Sequence, residues 1–118
     1  MAHISKRLLT TVNAKDTPST PIVLTIAGSD SSGGAGIQAD IKALSATGSY
    51  ACSVITAITA QNTLGVHAVF TIPLEYIEKQ LDAVFTDLNV VAVKVGMLAD
   101  SDIIKTVVAK IKQYQPRF

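Results

Sequence analysis

A chain of 118 residues, 48% of them hydrophobic, has room for one small domain and enough apolar side chains for a packed core. A net charge of +1, from 10 basic and 9 acidic residues, gives no electrostatic footprint for nucleic acid. Cys52 is the single cysteine, which excludes an internal disulfide, leaves a zinc cluster without ligands and fits a reducing cytosol. No apolar run reaches the ~18 residues of a membrane span.

Residues 1–20 read as a tail. Lys6, Arg7 and Lys15 face one acid, Asp16, and Thr17-Pro18-Ser19-Thr20 leads into Pro21. Leu8-Leu9 is too short for a secretory signal. The expectation is a disordered extension in a cytoplasmic protein, with an organellar transit peptide as the alternative.

The first expected strand is residues 22–27, where Ile22-Val23-Leu24-Thr25-Ile26-Ala27 is almost continuously apolar. Such a run belongs to a parallel sheet covered on both faces. A bend with four glycines in nine residues follows, from Gly28 to Gly36. Glycines let the backbone take positive φ and let a ligand approach it closely, so the bend reads as a ligand-contacting loop. Two familiar phosphate motifs fail here. Gly28 and Gly33 have the GxxxxG spacing, but Gly34-Ala35 stands where a phosphate loop needs Lys and then Ser or Thr. Gly34-Ala35-Gly36-Ile37-Gln38-Ala39 matches GxGxxA, yet six residues separate it from the strand and no acid follows about 20 positions on.

The first helix is expected over residues 34–46, with Ile37, Ile41 and Leu44 as its apolar stripe and Gly48 as a left-handed cap. A second strand is expected over 50–60 and a short third one over 66–70. The second helix is the clearest: Pro73 in its first turn, then Leu74, Ile77, Leu81, Val84, Phe85 and Leu88 at helical spacing. Residues 90–95 make the next buried strand. A last helix starts near Asp100 or Ser101 with the stripe Ile103, Ile104, Val107, Val108, Ile111. The β-α-β-α rhythm predicts a further strand after Tyr114, so the domain is expected to be incomplete at the carboxyl end.

Several polar residues interrupt apolar surroundings, as functional residues often do. Gln61 and Asn62 fall past the carboxyl end of the second strand, where open α/β sheets bind ligands. A Gln amide can pair with a ring nitrogen beside an exocyclic amine, and a polar loop residue is the plain alternative. Asp40 sits at the edge of the first helix's apolar face, able to accept from a ligand hydroxyl or merely to solvate the helix. Lys94, in a strand of Val and Ala, needs a partner or the sheet edge. Met97 offers either a flexible apolar cover for a flat ring or ordinary core. Cys52 reads as a small buried hydrophobe and His67 as structural or exposed.

Three blocks resemble the hydroxymethylpyrimidine and phosphomethylpyrimidine kinases. They are Leu24-Thr25-Ile26-Ala27-Gly28-Ser29-Asp30 with Ser32-Gly33-Gly34-Ala35-Gly36-Ile37-Gln38-Ala39-Asp40; Ser53-Val54-Ile55-Thr56-Ala57 with Ala60-Gln61-Asn62-Thr63; and Lys94-Val95-Gly96-Met97-Leu98. The resemblance covers residues 21–118. It implies a ribokinase-like α/β fold, a mainly parallel sheet flanked by helices, and thiamine biosynthesis. It also implies ATP as co-substrate, Mg²⁺ as activator, a small-molecule aminopyrimidine as partner, and allows a homodimer. Gly28, Ala35, Asp40, Gln61 and Met97 would line the pyrimidine pocket, with Asp40 near the polar end of the substrate. The family's catalytic glycine-rich segment, its essential cysteine and most of its ATP site lie nearer the carboxyl end of a chain roughly twice as long, so none of the catalytic residues is expected here. A pyridoxal or sugar kinase of the same fold, or a non-catalytic pyrimidine-binding remnant, are the competing readings.

Overall fold

The computed structural model describes residues 20–118; the expectations for the tail fall on residues outside that range. The elements are β1 (Ile22–Ala27), α1 (Gly36–Ala46), β2 (Tyr50–Ile55), β3 (Ala57–Asn62), β4 (Gly65–Thr71), α2 (Leu74–Asp87), β5 (Val90–Val95) and α3 (Ser101–Tyr114).

β1 is the centre of a three-stranded parallel sheet in the order β2-β1-β5. Its apolar run is explained by that position, since a central strand has helices over both faces. Leu24 and Ile26 point into a core with Val54, Ile77, Leu81, Ile103 and Val107, which brings α2 and α3 onto one face. Thr25, between them, points the other way and bonds to Asp40 of α1. Leu24, Ile26, Ile77, Leu81 and Ile103 are wholly buried, each contributing about 1.5–3 kcal/mol of transfer free energy.

Local chemistry sets the helix ends. Asp100 caps α3, its carboxylate accepting from the Ile103 N–H at 2.9 Å, which decides between the two expected caps. At the far end of α1, Gly48 takes φ +90°. There Ser49 N–H donates to Leu44 O and Gly48 N–H to Ser45 O, the paired bonds of a Schellman ending. α1 itself begins at Gly36, two residues later than the spacing predicted, because Gly34 and Ala35 belong to the bend.

The expected second strand, residues 50–60, is two strands. Thr56 breaks it: its N–H still donates to Ala27 O, but its carbonyl accepts from Ile72 N–H. β3 then leaves the parallel sheet and pairs antiparallel with β4, closing a hairpin at Thr63-Leu64. Unbroken β-propensity hid the break. The Gln80 amide of α2 fills the place vacated beside β2, donating to Ile55 O and accepting from Ile55 N–H, both at 2.9 Å.

The stripe of α3 is only partly covered. Ile103 and Val107 are buried, while Ile104 and Val108 are exposed. On the outer edge of β5, Phe118 donates to Val91 O and accepts from Val93 N–H, the bonding of a parallel neighbour. The strand predicted after Tyr114 is not formed in residues 115–118; Phe118 alone pairs with β5, in the parallel sense.

Candidate functional site

The loops after β1 and β5 leave adjacent parallel strands and run to helices on opposite faces, the bend to α1 and residues 96–100 to α3. That divergence opens a crevice at the carboxyl ends of the strands, where α/β sheets bind ligands. A cavity of about 480 Å³ fills it. Gly28, Ala35, Gln61 and Met97 all line this one cavity, with Lys94 and Gly96 beside them.

Asp30 shapes the bend. It is buried, and one carboxylate oxygen accepts from the Ser32 N–H at 2.9 Å and the Ser32 hydroxyl at 2.7 Å. The other accepts from Gly34 N–H at 3.1 Å. These bonds, the Ser32 hydroxyl foremost, hold its carboxyl below the usual range. Gln38, in the first turn of α1, accepts from the Asp30 N–H at 2.8 Å. Gly36 closes the curve at φ +58°, with no space for a side chain: a Cβ there would stand 2.3 Å from Gly28 O. In the sequence Asp30 stands out only as part of the Leu24–Asp30 block. Its Asp-Ser-Ser-Gly-Gly setting is the signal of an aspartate folded back onto its own turn.

The bend is stitched to β3. Ser29 N–H donates to Ala57 O at 2.8 Å, and the Thr59 hydroxyl donates to Ser29 O at 2.5 Å. The Ser31 hydroxyl donates to Gln61 O at 2.5 Å and accepts from Gln61 N–H at 2.8 Å. Serine hydroxyls thus stand in for ladder rungs and fix Gln61 against the bend. Its side-chain Oε1 lies 3.3 Å from the Thr59 hydroxyl, whose single proton the closer Ser29 carbonyl takes. Asn62 turns away: its Oδ1 accepts from Leu64 N–H at 2.9 Å and lies 3.3 Å from His67 Nε2, so it shapes the hairpin turn. Gln61 and Asn62 close β3 instead of following a parallel strand, which corrects their expected placement.

Asp40 is set back from the cavity. Its Oδ2 accepts from the buried Thr25 hydroxyl at 2.7 Å, and Lys94 Nζ reaches both oxygens at 2.9 and 3.0 Å. Burial works against its charge, but the Thr25 and Lys94 hydrogen bonds and the Lys94 charge leave its carboxyl below the ordinary value. Lys94 thereby has both its partner and the sheet edge, since β5 is an outer strand and the side chain is half-exposed. Met97 is not core; it is 92% exposed at the cavity rim. Cys52 packs against the core from the partly buried side of β2, and burial pushes its thiol up to about 11, in keeping with a hydrophobe. Among the described residues no three His, Cys, Asp or Glu side chains are grouped to hold a metal ion, and no helix is long and apolar enough to cross a membrane.

A family model described as phosphomethylpyrimidine kinase matches residues 30–118. The chain belongs to that family. The hydroxymethylpyrimidine/phosphomethylpyrimidine kinase of Escherichia coli strain K12 is 54% identical over 92 residues, 78% of this chain and 35% of that protein. A crystal structure of phosphomethylpyrimidine kinase from Clostridium difficile 630 superposes with a TM-score of 0.82 at 56% identity, covering 84% of this chain and 43% of that one. Pyridoxal kinase from Staphylococcus aureus, in complex with AMP-PCP and pyridoxal, gives a TM-score of 0.77 at 35% identity over 85% of this chain and 37% of that one. The ribokinase-like fold is thus the family's own, and this chain spans about a third of the length of the curated relative, at 35%.

Proposed function

We propose that this chain carries the ring-holding part of a kinase that uses ATP to phosphorylate 4-amino-5-hydroxymethyl-2-methylpyrimidine and then its monophosphate, in thiamine biosynthesis in the cytoplasm. The observation that supports it most is the convergence of Gly28, Ala35, Gln61 and Met97 on a single cavity at the switch point of the sheet. A flat aminopyrimidine suits such a space. The Gln61 amide offers complementary hydrogen bonds to its edge, the bend passes close to its face, and Met97 covers it.

The cavity does not fit the triphosphate and Mg²⁺ of the co-substrate. Among the described residues lining it, Asp30 is the one carboxylate, and both its oxygens are taken by Ser32 and Gly34. Lys94 is the one cation there, a single positive charge shared with Asp40 against the several negative charges of a triphosphate. Phosphoryl transfer depends on charge stabilisation around the transferring group. Residues 20–118 therefore bind the ring, and this chain alone does not turn over ATP.

Calorimetric titration of the 118-residue chain tests the reading. Hydroxymethylpyrimidine should bind, Gln61→Ala should weaken it about tenfold, and pyridoxal should bind less tightly than the pyrimidine. Tighter binding of pyridoxal would move the assignment to a pyridoxal kinase. ATP hydrolysis by the wild-type chain that disappears in Gln61→Ala would refute the claim of no turnover. The homodimer that the resemblance allows would find apolar surface on the β3–β4 hairpin, where Ile58, Val69 and Phe70 are exposed.

A further inference from the structure

Lys94 and Asp40 divide a task that the sequence placed on Asp40 alone. Thr25 and Lys94 are cross-strand partners on β1 and β5, and Asp40 reaches them both from α1. This pin joins three elements directly beneath the crevice. Of its members only Lys94 lines the cavity. The ammonium is accessible, since the Lys94 side chain is half-exposed, and Gly96 lies beside it, where a Cβ would stand 3.4 Å from Nζ. An ammonium has three donors, and the Asp40 carboxylate takes two contacts from it.

We propose that Lys94 is a specificity-determining residue of the cavity. It donates a hydrogen bond to the oxygen substituent of the bound ring, the hydroxymethyl oxygen or the phosphate that replaces it. Asp40 and Thr25 are positioning residues that aim it. This inference rests on the ring-binding reading above and deepens it. A site with a fixed donor for an oxygen disfavours an analogue lacking that oxygen, because the donor then loses its partner.

The test compares hydroxymethylpyrimidine with 4-amino-2,5-dimethylpyrimidine, which has the same ring and a methyl group in place of the hydroxymethyl group. Both are titrated calorimetrically into the full 118-residue chain. The wild type should prefer the hydroxymethyl ligand about tenfold, and Lys94→Met should bring the two dissociation constants within about twofold of each other. Lys94→Met leaves Asp40 without its cation, so the double variant Lys94→Met/Asp40→Asn, which also removes that charge, serves if the single one fails to fold. Asp40→Asn alone should reduce the preference partially, since the donor remains but loses its aim. A preference that survives in Lys94→Met or in the double variant overturns the proposal, as does a wild type that binds both ligands equally. If the wild type binds neither ring, the ring-binding reading itself fails and takes the inference with it.

Discussion

Two walls of the cavity leave neighbouring strands, yet they are built differently. The bend after β1 is fastened from within by Asp30 and from the side by Ser29 and Ser31 against β3. The segment after β5 is anchored at its ends, by the Gly96 N–H on Ile26 O and by the Asp100 cap, while Met97 between them stands almost wholly in solvent. One wall has its shape before any ligand arrives, and the other offers a side chain with several rotatable bonds. For the ring proposed above, a rigid wall would set which edge is read, and an adaptable one would tolerate what the ring carries.

The sharpest way to break this contrast is to add one methyl group to each wall. Gly36→Ala combines a positive φ with a 2.3 Å approach to a backbone oxygen, and should cost about 3 kcal/mol or more in denaturant unfolding. Gly96→Ala, at an ordinary φ, meets the Ala27 Cβ of the buried central strand at 2.9 Å and should cost less, about 2 kcal/mol. Equal costs would mean that the walls are equally rigid. Next in size is Gln61→Ala, with its tenfold loss of pyrimidine binding at little cost in stability, because backbone groups of Gln61 make the stitches.

Acid should loosen the fastened wall. The carboxyls of Asp30 (through Ser32), Asp40 (despite burial, through Thr25 and Lys94) and Asp82 (through Lys110) ionise below their ordinary 3.8 in the folded chain. Folded carboxylates therefore hold protons more weakly than unfolded ones. Their stabilisation is complete above the unfolded value and disappears as pH falls through the folded values. The unfolding midpoint should be level from pH 7 to about 5 and drop below about 4, with a shallower drop in Asp30→Asn. An identical slope in that variant would show that the bend does not depend on the Asp30 charge. The smallest effect belongs to Met97→Ala: stability within about 0.5 kcal/mol of wild type and ring binding weakened only a fewfold.

The parallel strands and all three helices were legible because their apolar spacing reports burial directly. The bend stood out because few turns need so many glycines, and it does line the cavity. What escaped is pairing. Nothing in Tyr50-Ala51-Cys52-Ser53-Val54-Ile55 followed by Ala57-Ile58-Thr59 marks where a strand changes sheets, since both segments have equal reason to be extended. Asp40 was recognised as out of place, but whether its partner is a ligand or Lys94, 54 positions away, is decided only by the fold. Met97 was left open between ring cover and core for the same reason: hydrophobicity says what a side chain prefers, and the strand order says what is available to it.

The amide of Gln80 gives the parallel sheet a firm stop. Because a helix side chain holds the last residue of β2 by both its peptide groups, pulling on the β3–β4 hairpin would meet resistance at Thr56 before it could peel β2 from β1. The arm bearing Gln61 therefore passes a load to the bend after β1, through Ser29 and Ser31, before it reaches the β2–β1 ladder.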